Sequence, residues 1–241
     1  MRPAALFVFV VVVTAAQTFA EKPKLVFTSP RFWEVNVNAA VRKEISLTFD
    51  QPLRNGFWDW FGRDTLSPAS DLHTLITSDR MTCSVKVKLA PGRVYICGLN
   101  ERGISGVGFQ NEKGQSLPPT YLVFQTAGNP APDDAPPRVA KTAPGNGTQQ
   151  VDPARTTAIA ITFDQPMSTK KHGLRLFENE KSVDISRLAF SYSSDARTFT
   201  LPYTFRAVTQ YRLELNSVSD IGFCRANRVP LWPVQISFST Q

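Results

Sequence analysis

Apolar and polar residues alternate in short runs along this chain, and the runs come in two matching sets. Ile45, Leu47 and Phe49 alternate with Ser46 and Thr48 and stop at Asp50-Gln51-Pro52. Ile159, Ile161 and Phe163 do the same ahead of Asp164-Gln165-Pro166. Period-two alternation closed by a proline predicts half-buried strands. Cys83, Val85, Val87 and Leu89 make another such face, with Ser84, Lys86 and Lys88 opposite, before a turn at Pro91-Gly92. Tyr95, Cys97 and Leu99 line the next strand, and Leu122, Phe124 and Thr126 close the set. Lys24 to Thr28 opens it. No stretch sustains a helical period.

The string Thr48-Phe49-Asp50-Gln51-Pro52 returns letter for letter at Thr162 to Pro166. Slid by 114 residues, Pro23 falls on Pro137, Pro30 on Pro144, Val37 on Val151, Gly108-Phe109 on Gly222-Phe223, and Phe124 on Phe238. In the middle the offset is 116, which sets Cys83 against Phe199 and Tyr95 against Tyr211. A period this long is a whole domain, since solenoid units run about 20–50 residues. The expected architecture is all-β: two tandem antiparallel β-sandwiches, residues 21–128 and 138–241, joined by a proline-rich connector at 129–137. About 100 residues suffice for a self-sufficient core. Four prolines make the connector short, stiff and extended.

The first 20 residues fit neither copy. Arg2, an apolar run from Ala4 to Val13, and Thr18-Phe19-Ala20 ahead of Glu21-Lys22 predict a signal peptide cleaved after Ala20. An uncleaved anchor is the alternative, disfavoured by so short an apolar run. The mature chain is expected to be exported, periplasmic, surface-bound or secreted, with no transmembrane helix. The 27 Lys and Arg stand against 20 Asp and Glu. Their even spread argues against nucleic acid as a partner and leaves an envelope protein or polysaccharide. Three cysteines are too few for a disulfide framework.

From Pro136-Pro137-Arg138-Val139 the second half runs through Ala143-Pro144-Gly145-Asn146-Gly147-Thr148 and Val151-Asp152-Pro153 to Ile159–Phe163, Asp164-Gln165-Pro166-Met167, with Tyr211 and Phe238-Ser239-Thr240 later. This series resembles the bacterial Ig-like domain of the S-layer (SbsA) type. The first half is similar but has Arg31-Phe32-Trp33-Glu34 in place of the Gly-Asn-Gly loop and Leu53 in place of the methionine. The resemblance implies two Ig-like sandwiches of the kind that bacterial surface and secreted proteins use as spacers, adhesion modules or accessory domains. No cofactor is expected.

Candidate chemistry is sparse. Asp50 and Asp164, each ahead of a proline (Pro52, Pro166), suit a turn in which a short acid accepts backbone N–H bonds; a calcium ligand would need further oxygens nearby. Asp133-Asp134 in the connector are either solvated charge or part of an interdomain calcium site. Cys83 and Cys97 occupy core positions on consecutive strands that an Ig-like sandwich would place on opposite sheets, and are candidates for a disulfide across the core or for paired buried thiols. Trp58 and Trp60, in the cluster Phe57–Phe61, and Trp33 have no aromatic counterparts in the second half. They either pack as extra core or contact a ligand, stacking on sugar rings in a glycan-binding protein. No nucleophile–base pair, metal motif or catalytic residue is recognised, and the two histidines, His73 and His172, lie far apart. The expected function is a non-enzymatic module of the cell envelope or extracellular space, with glycan binding second and a hydrolase on a β-sandwich third.

Overall fold

The computed structural model describes residues 21–56, 58–61, 66–101 and 108–241. The expected signal peptide and Phe57 lie outside the described residues. The first half forms seven strands: β1 (Leu25–Ser29), β2 (Glu34–Val37), β3 (Glu44–Phe49), β4 (Ala69–Ile76), β5 (Thr82–Lys88), β6 (Val94–Leu99) and β7 (Thr120–Thr126). One sheet has the order β1-β3-β5-β4, and the facing sheet β2-β7-β6. After a single 3-10 turn at Pro132–Asp134 the second half follows with β8 (Val139–Ala143), β9 (Ala158–Phe163), β10 (Leu174–Glu178), β11 (Lys181–Val183), β12 (Ser191–Tyr192), β13 (Thr198–Pro202), β14 (Gln210–Leu215) and β15 (Val234–Ser239). Its sheets are β12-β13-β9-β8 and β11-β10-β14-β15. All named strand pairs are antiparallel except β2 with β7, where Val37 lies beside Thr126; an isolated parallel bridge, Val151 to Thr240, repeats that contact.

The alternation seen in the sequence sets the cores. Ile45, Leu47 and Phe49 are fully buried in β3, as are Cys83 and Val85 in β5. They meet Tyr95, Cys97, Leu99, Leu122 and Phe124 from the facing sheet in one cluster. Ile159, Ile161, Phe163, Phe199, Leu201, Tyr211, Leu213 and Phe238 build the second cluster in the same way. Each such side chain contributes about 1.5–3 kcal/mol by leaving water. The repeat extends to polar detail: the Thr48 and Thr82 hydroxyls lie 3.1 Å apart across β3 and β5, and those of Thr162 and Thr198 lie 3.2 Å apart across β9 and β13.

At the turn after β5, Gly92 has φ +68°, and a Cβ there would meet the Asn129 carbonyl oxygen at 2.5 Å. Chain reversal and connector thus press against the same backbone. The connector, expected from its prolines to be extended, instead winds into one 3-10 turn at Pro132–Asp134. Pro132 sets the first φ of the 3-10 turn, where its missing N–H costs nothing.

Candidate functional site

Asp50 and Asp164 do the same work in each half. The Asp50 carboxylate accepts from the Lys24 N–H at 2.9 Å, while the Asp50 N–H donates to the Lys24 carbonyl at 3.0 Å. Asp164 repeats the pair with Arg138, at 2.7 and 3.0 Å. The acid therefore clamps the end of the second long strand to the start of the first, across the sheet. Among the described residues, no three His, Cys, Asp or Glu side chains converge as a metal site requires. The connector acids face arginines: Asp133 is 3.5 Å from Arg225 and Asp134 is 3.5 Å from Arg93.

The tryptophans are occupied by the protein itself. Trp60 is 2% exposed and stands edge-on to Phe109 at 5.1 Å. Its indole N–H donates to the Thr74 hydroxyl at 2.7 Å. Trp58, half-buried, packs on Phe109 at 5.4 Å. Trp33 meets Trp232 of the second half, ring centroids 5.5 Å apart. A sugar would reach Trp60 only by opening the core. Cys83 and Cys97 sit on facing sheets, and all three cysteines are buried thiols. Burial pushes the Cys83 thiol up to about 12.

One polar device escaped the reading of the sequence. Asn100 and Asn216 follow β6 and β14, buried and left-handed at φ 54° and 58°. The Asn100 amide donates to the Phe109 and Leu117 carbonyls at 3.1 and 2.8 Å and accepts from the Phe109 N–H at 2.8 Å. Asn216 does the same with Phe223 and Leu231. Each pins the loop that leads into the last strand. The signal was present as Leu-Asn at the 116 offset. Tyr95, placed two residues before Cys97 as in a tyrosine corner, makes the matching contact: its hydroxyl accepts from the Ala90 N–H, and the Tyr211 hydroxyl from the Arg206 N–H, both at 2.7 Å. This five-residue reach back is the tyrosine-corner contact of Ig sandwiches. The Tyr211 hydroxyl also meets Glu178, 3.2 Å away, which takes a 2.7 Å bond from the Tyr203 hydroxyl; burial pushes both phenols up. This acid–phenol cluster is bonded internally.

The most constructed surface lies between the halves. Leu66, Val94, Ile96 and Val123 of the first join Ile221 and Val229 of the second in a third apolar cluster, flanked by Trp33, Tyr121 and Trp232. The Tyr121 N–H donates to the Val218 carbonyl at 2.7 Å, and the Trp232 indole to the Trp33 carbonyl at 3.1 Å. Arg225 donates to the carbonyls of Pro132, Asp133 and Ala135, and Asn227 to that of Asp133. Beside this junction opens a cleft of about 470 Å³, lined by Val35, Gln125, Pro136, Arg138, Gln165, Trp232 and their neighbours. Among the described residues, its lining holds no Ser, Thr, Cys, His or Tyr side chain that could act as a nucleophile or imidazole base. The carboxylate among these described lining residues, Asp164, already holds the Arg138 N–H.

Residues 133–240 match the family model of the bacterial Ig-like domain. The first half repeats the β8-β9-β13-β12 order of the second as β1-β3-β5-β4, together with its tyrosine contact and its buried asparagine. Among solved structures the chain is similar to a three-Ig segment of titin carrying an E-to-A mutation: 12% identity, 91% of this chain and 65% of that one, TM-score 0.30. A titin Ig tandem matches with 12% identity, 92% and 97% coverage and TM-score 0.26. The tandem Ig repeats of Dlar match with 12% identity, 92% and 99% coverage and TM-score 0.25. The Ig-like architecture is carried by the two facing sheets of each half. No curated protein matches the chain.

Proposed function

We propose that the chain is an exported, non-enzymatic structural or interaction module of the bacterial cell envelope or extracellular space, built from two Ig-like domains of the S-layer (SbsA) type. Its residues act by holding two sandwiches at a set spacing and presenting their outer surfaces to an envelope protein or polysaccharide. The observation that carries the reading is the apolar cluster shared by both halves, which makes the two cores one support. The acids singled out in the sequence clamp strands, the tryptophans fill cores and junction, and, among the described residues, the junction cleft lacks a nucleophile. These uses favour support and binding over catalysis. Export rests on the leader-like start alone.

The test has two arms. An epitope-tagged full chain expressed in a bacterium is fractionated, and its N-terminus determined. A mature start at Glu21 outside the cytoplasm is expected; a cytoplasmic chain retaining Met1 overturns export. The purified mature protein is then mixed with isolated bacterial envelopes. Co-sedimentation without release of soluble sugar or peptide is expected, and turnover of the envelope polymer overturns the non-enzymatic reading.

A further inference from the structure

The two halves diverge most in polarity where they touch. On the outward face of the first half's smaller sheet stand Val94, Ile96 and Val123, buried, with Tyr121 beside them. Carried over by the repeat, these positions become Gln210, Arg212, Ser237 and Gln235, all exposed or half-exposed. The second sandwich thus keeps that face wet. There, Arg212 lies 3.8 Å over the Phe177 ring and pairs with Glu180 at 2.8 Å. Only the first sandwich uses it as a socket, and loops of the second fill it.

Trp33 is the sharpest divergence. It occupies the repeat position of Gly147, and its backbone does what that glycine does. Gly147 has φ 77° and donates to the Ser237 carbonyl at 2.7 Å; Trp33 has φ 61° and donates to the equivalent Val123 carbonyl at 2.6 Å. Glycine takes this left-handed conformation freely, whereas a bulky side chain there is an outlier that the surroundings must impose. What surrounds Trp33 is Trp232, edge-on at 5.5 Å, with its indole N–H on the Trp33 carbonyl. Trp232 is itself a divergence, falling on Pro118 of the first half.

We propose that Trp33 is a positioning residue that locks the two sandwiches into one body of fixed angle. It holds a glycine's backbone so that its ring can close the socket against Trp232. The partner that fits the outward face of β6 and β7 is the second Ig-like domain of the same chain, through the loops bearing Ile221, Val229 and Trp232. The joint works in the same way whatever the outer surfaces bind.

The experiment uses the full mature chain and its Trp33→Gly variant, followed by NMR relaxation of each half, small-angle scattering and calorimetric unfolding. The wild type is expected to show one rotational correlation time for both halves and one unfolding transition. In Trp33→Gly, each half stays folded, since glycine is what the sister domain carries. Its halves should tumble separately, each toward the time of a body of half the mass, and unfolding should split in two. Trp232→Ala breaks the same contact from the other side and decides the matter if Trp33→Gly fails to fold. Two correlation times in the wild type overturn the proposal. So does a single time retained in whichever variant folds.

Discussion

Replacing Asn216 by alanine removes three hydrogen bonds from a side chain that is 4% exposed. Its amide donates to Phe223 and Leu231 carbonyls, both at 2.8 Å, and accepts from the Phe223 N–H at 3.0 Å. The Phe223 carbonyl keeps the Leu231 N–H at 2.9 Å. Two groups therefore lose this partner: the Leu231 carbonyl and the Phe223 N–H. A buried group left unsatisfied costs about 1–3 kcal/mol, so the pair costs about 4 kcal/mol. A left-handed alanine adds about 1 kcal/mol, which asparagine and glycine largely avoid. Against a total stability of about 5–15 kcal/mol this is a large fraction. At about 2–4 °C per kcal/mol, it lowers Tm by about 10–20 °C. Urea unfolding followed by circular dichroism measures the free energy, and calorimetry the Tm. Asn216→Gly should recover only the backbone share, about 1 kcal/mol, and Asn100→Ala should behave like Asn216→Ala. A loss below about 1 kcal/mol in both alanine variants, with unchanged urea slopes, would refute the asparagine as the anchor of each last loop.

Other expectations follow from single contacts. Thiol titration in denaturant without reductant should count three thiols, whereas the folded protein at pH 8 should label Cys83 very slowly because burial holds it protonated. A count of one would mean that Cys83 and Cys97 are bridged. Burial pushes His172 below its ordinary 6.5, against the pull of Asp220, so the unfolded chain takes up that proton first. Stability should therefore fall as pH drops below about 6.5 and level off below the folded value; His172→Phe should flatten that slope in pH-dependent melts. Asp164→Ala removes one backbone clamp at a strand end and should cost about 1 kcal/mol. A chelator should leave the wild-type Tm unchanged, and a Tm raised by millimolar calcium would return Asp164 to the status of a cation ligand.

Much of the fold was legible because both cores are written in period two. Glu44–Phe49 and Thr82–Lys88 show one face apolar and one polar, and the 114-residue repeat doubled every signal. Strand β4 was not read, because an edge strand buries little: Asp71, Leu72 and His73 are all exposed, and Leu72 sits at φ 59° where the register shifts. The β10–β11 hairpin turns through Asn179 and Glu180 at φ 44° and 64°, where the readable pair would be Asn-Gly. Glu180 hides it. The strand-end acids were readable as turn formers, but their partners, Lys24 and Arg138, lie 26 residues away and needed coordinates. The aromatic cluster left packing and ligand contact open because composition does not say which way a ring points. The junction was legible in principle. A position-by-position comparison of the repeats would have set Val94, Ile96 and Val123 against Gln210, Arg212 and Ser237.

The pairing of β1 with β3 slips between Leu25 and Phe27, and that of β8 with β9 slips between Val139 and Lys141. Strand β4 slips against β5 between Ser70 and Thr74. Each of these is an outermost strand, whose open row of N–H and C=O groups is a template for a neighbouring chain. A kinked edge offers no straight ladder to copy. Val26 and Phe27, 62% and 52% exposed beside the first kink, would otherwise make an adhesive apolar border. At these three edges a neighbouring copy meets an interrupted ladder, so the backbone itself works against edge-to-edge pairing there.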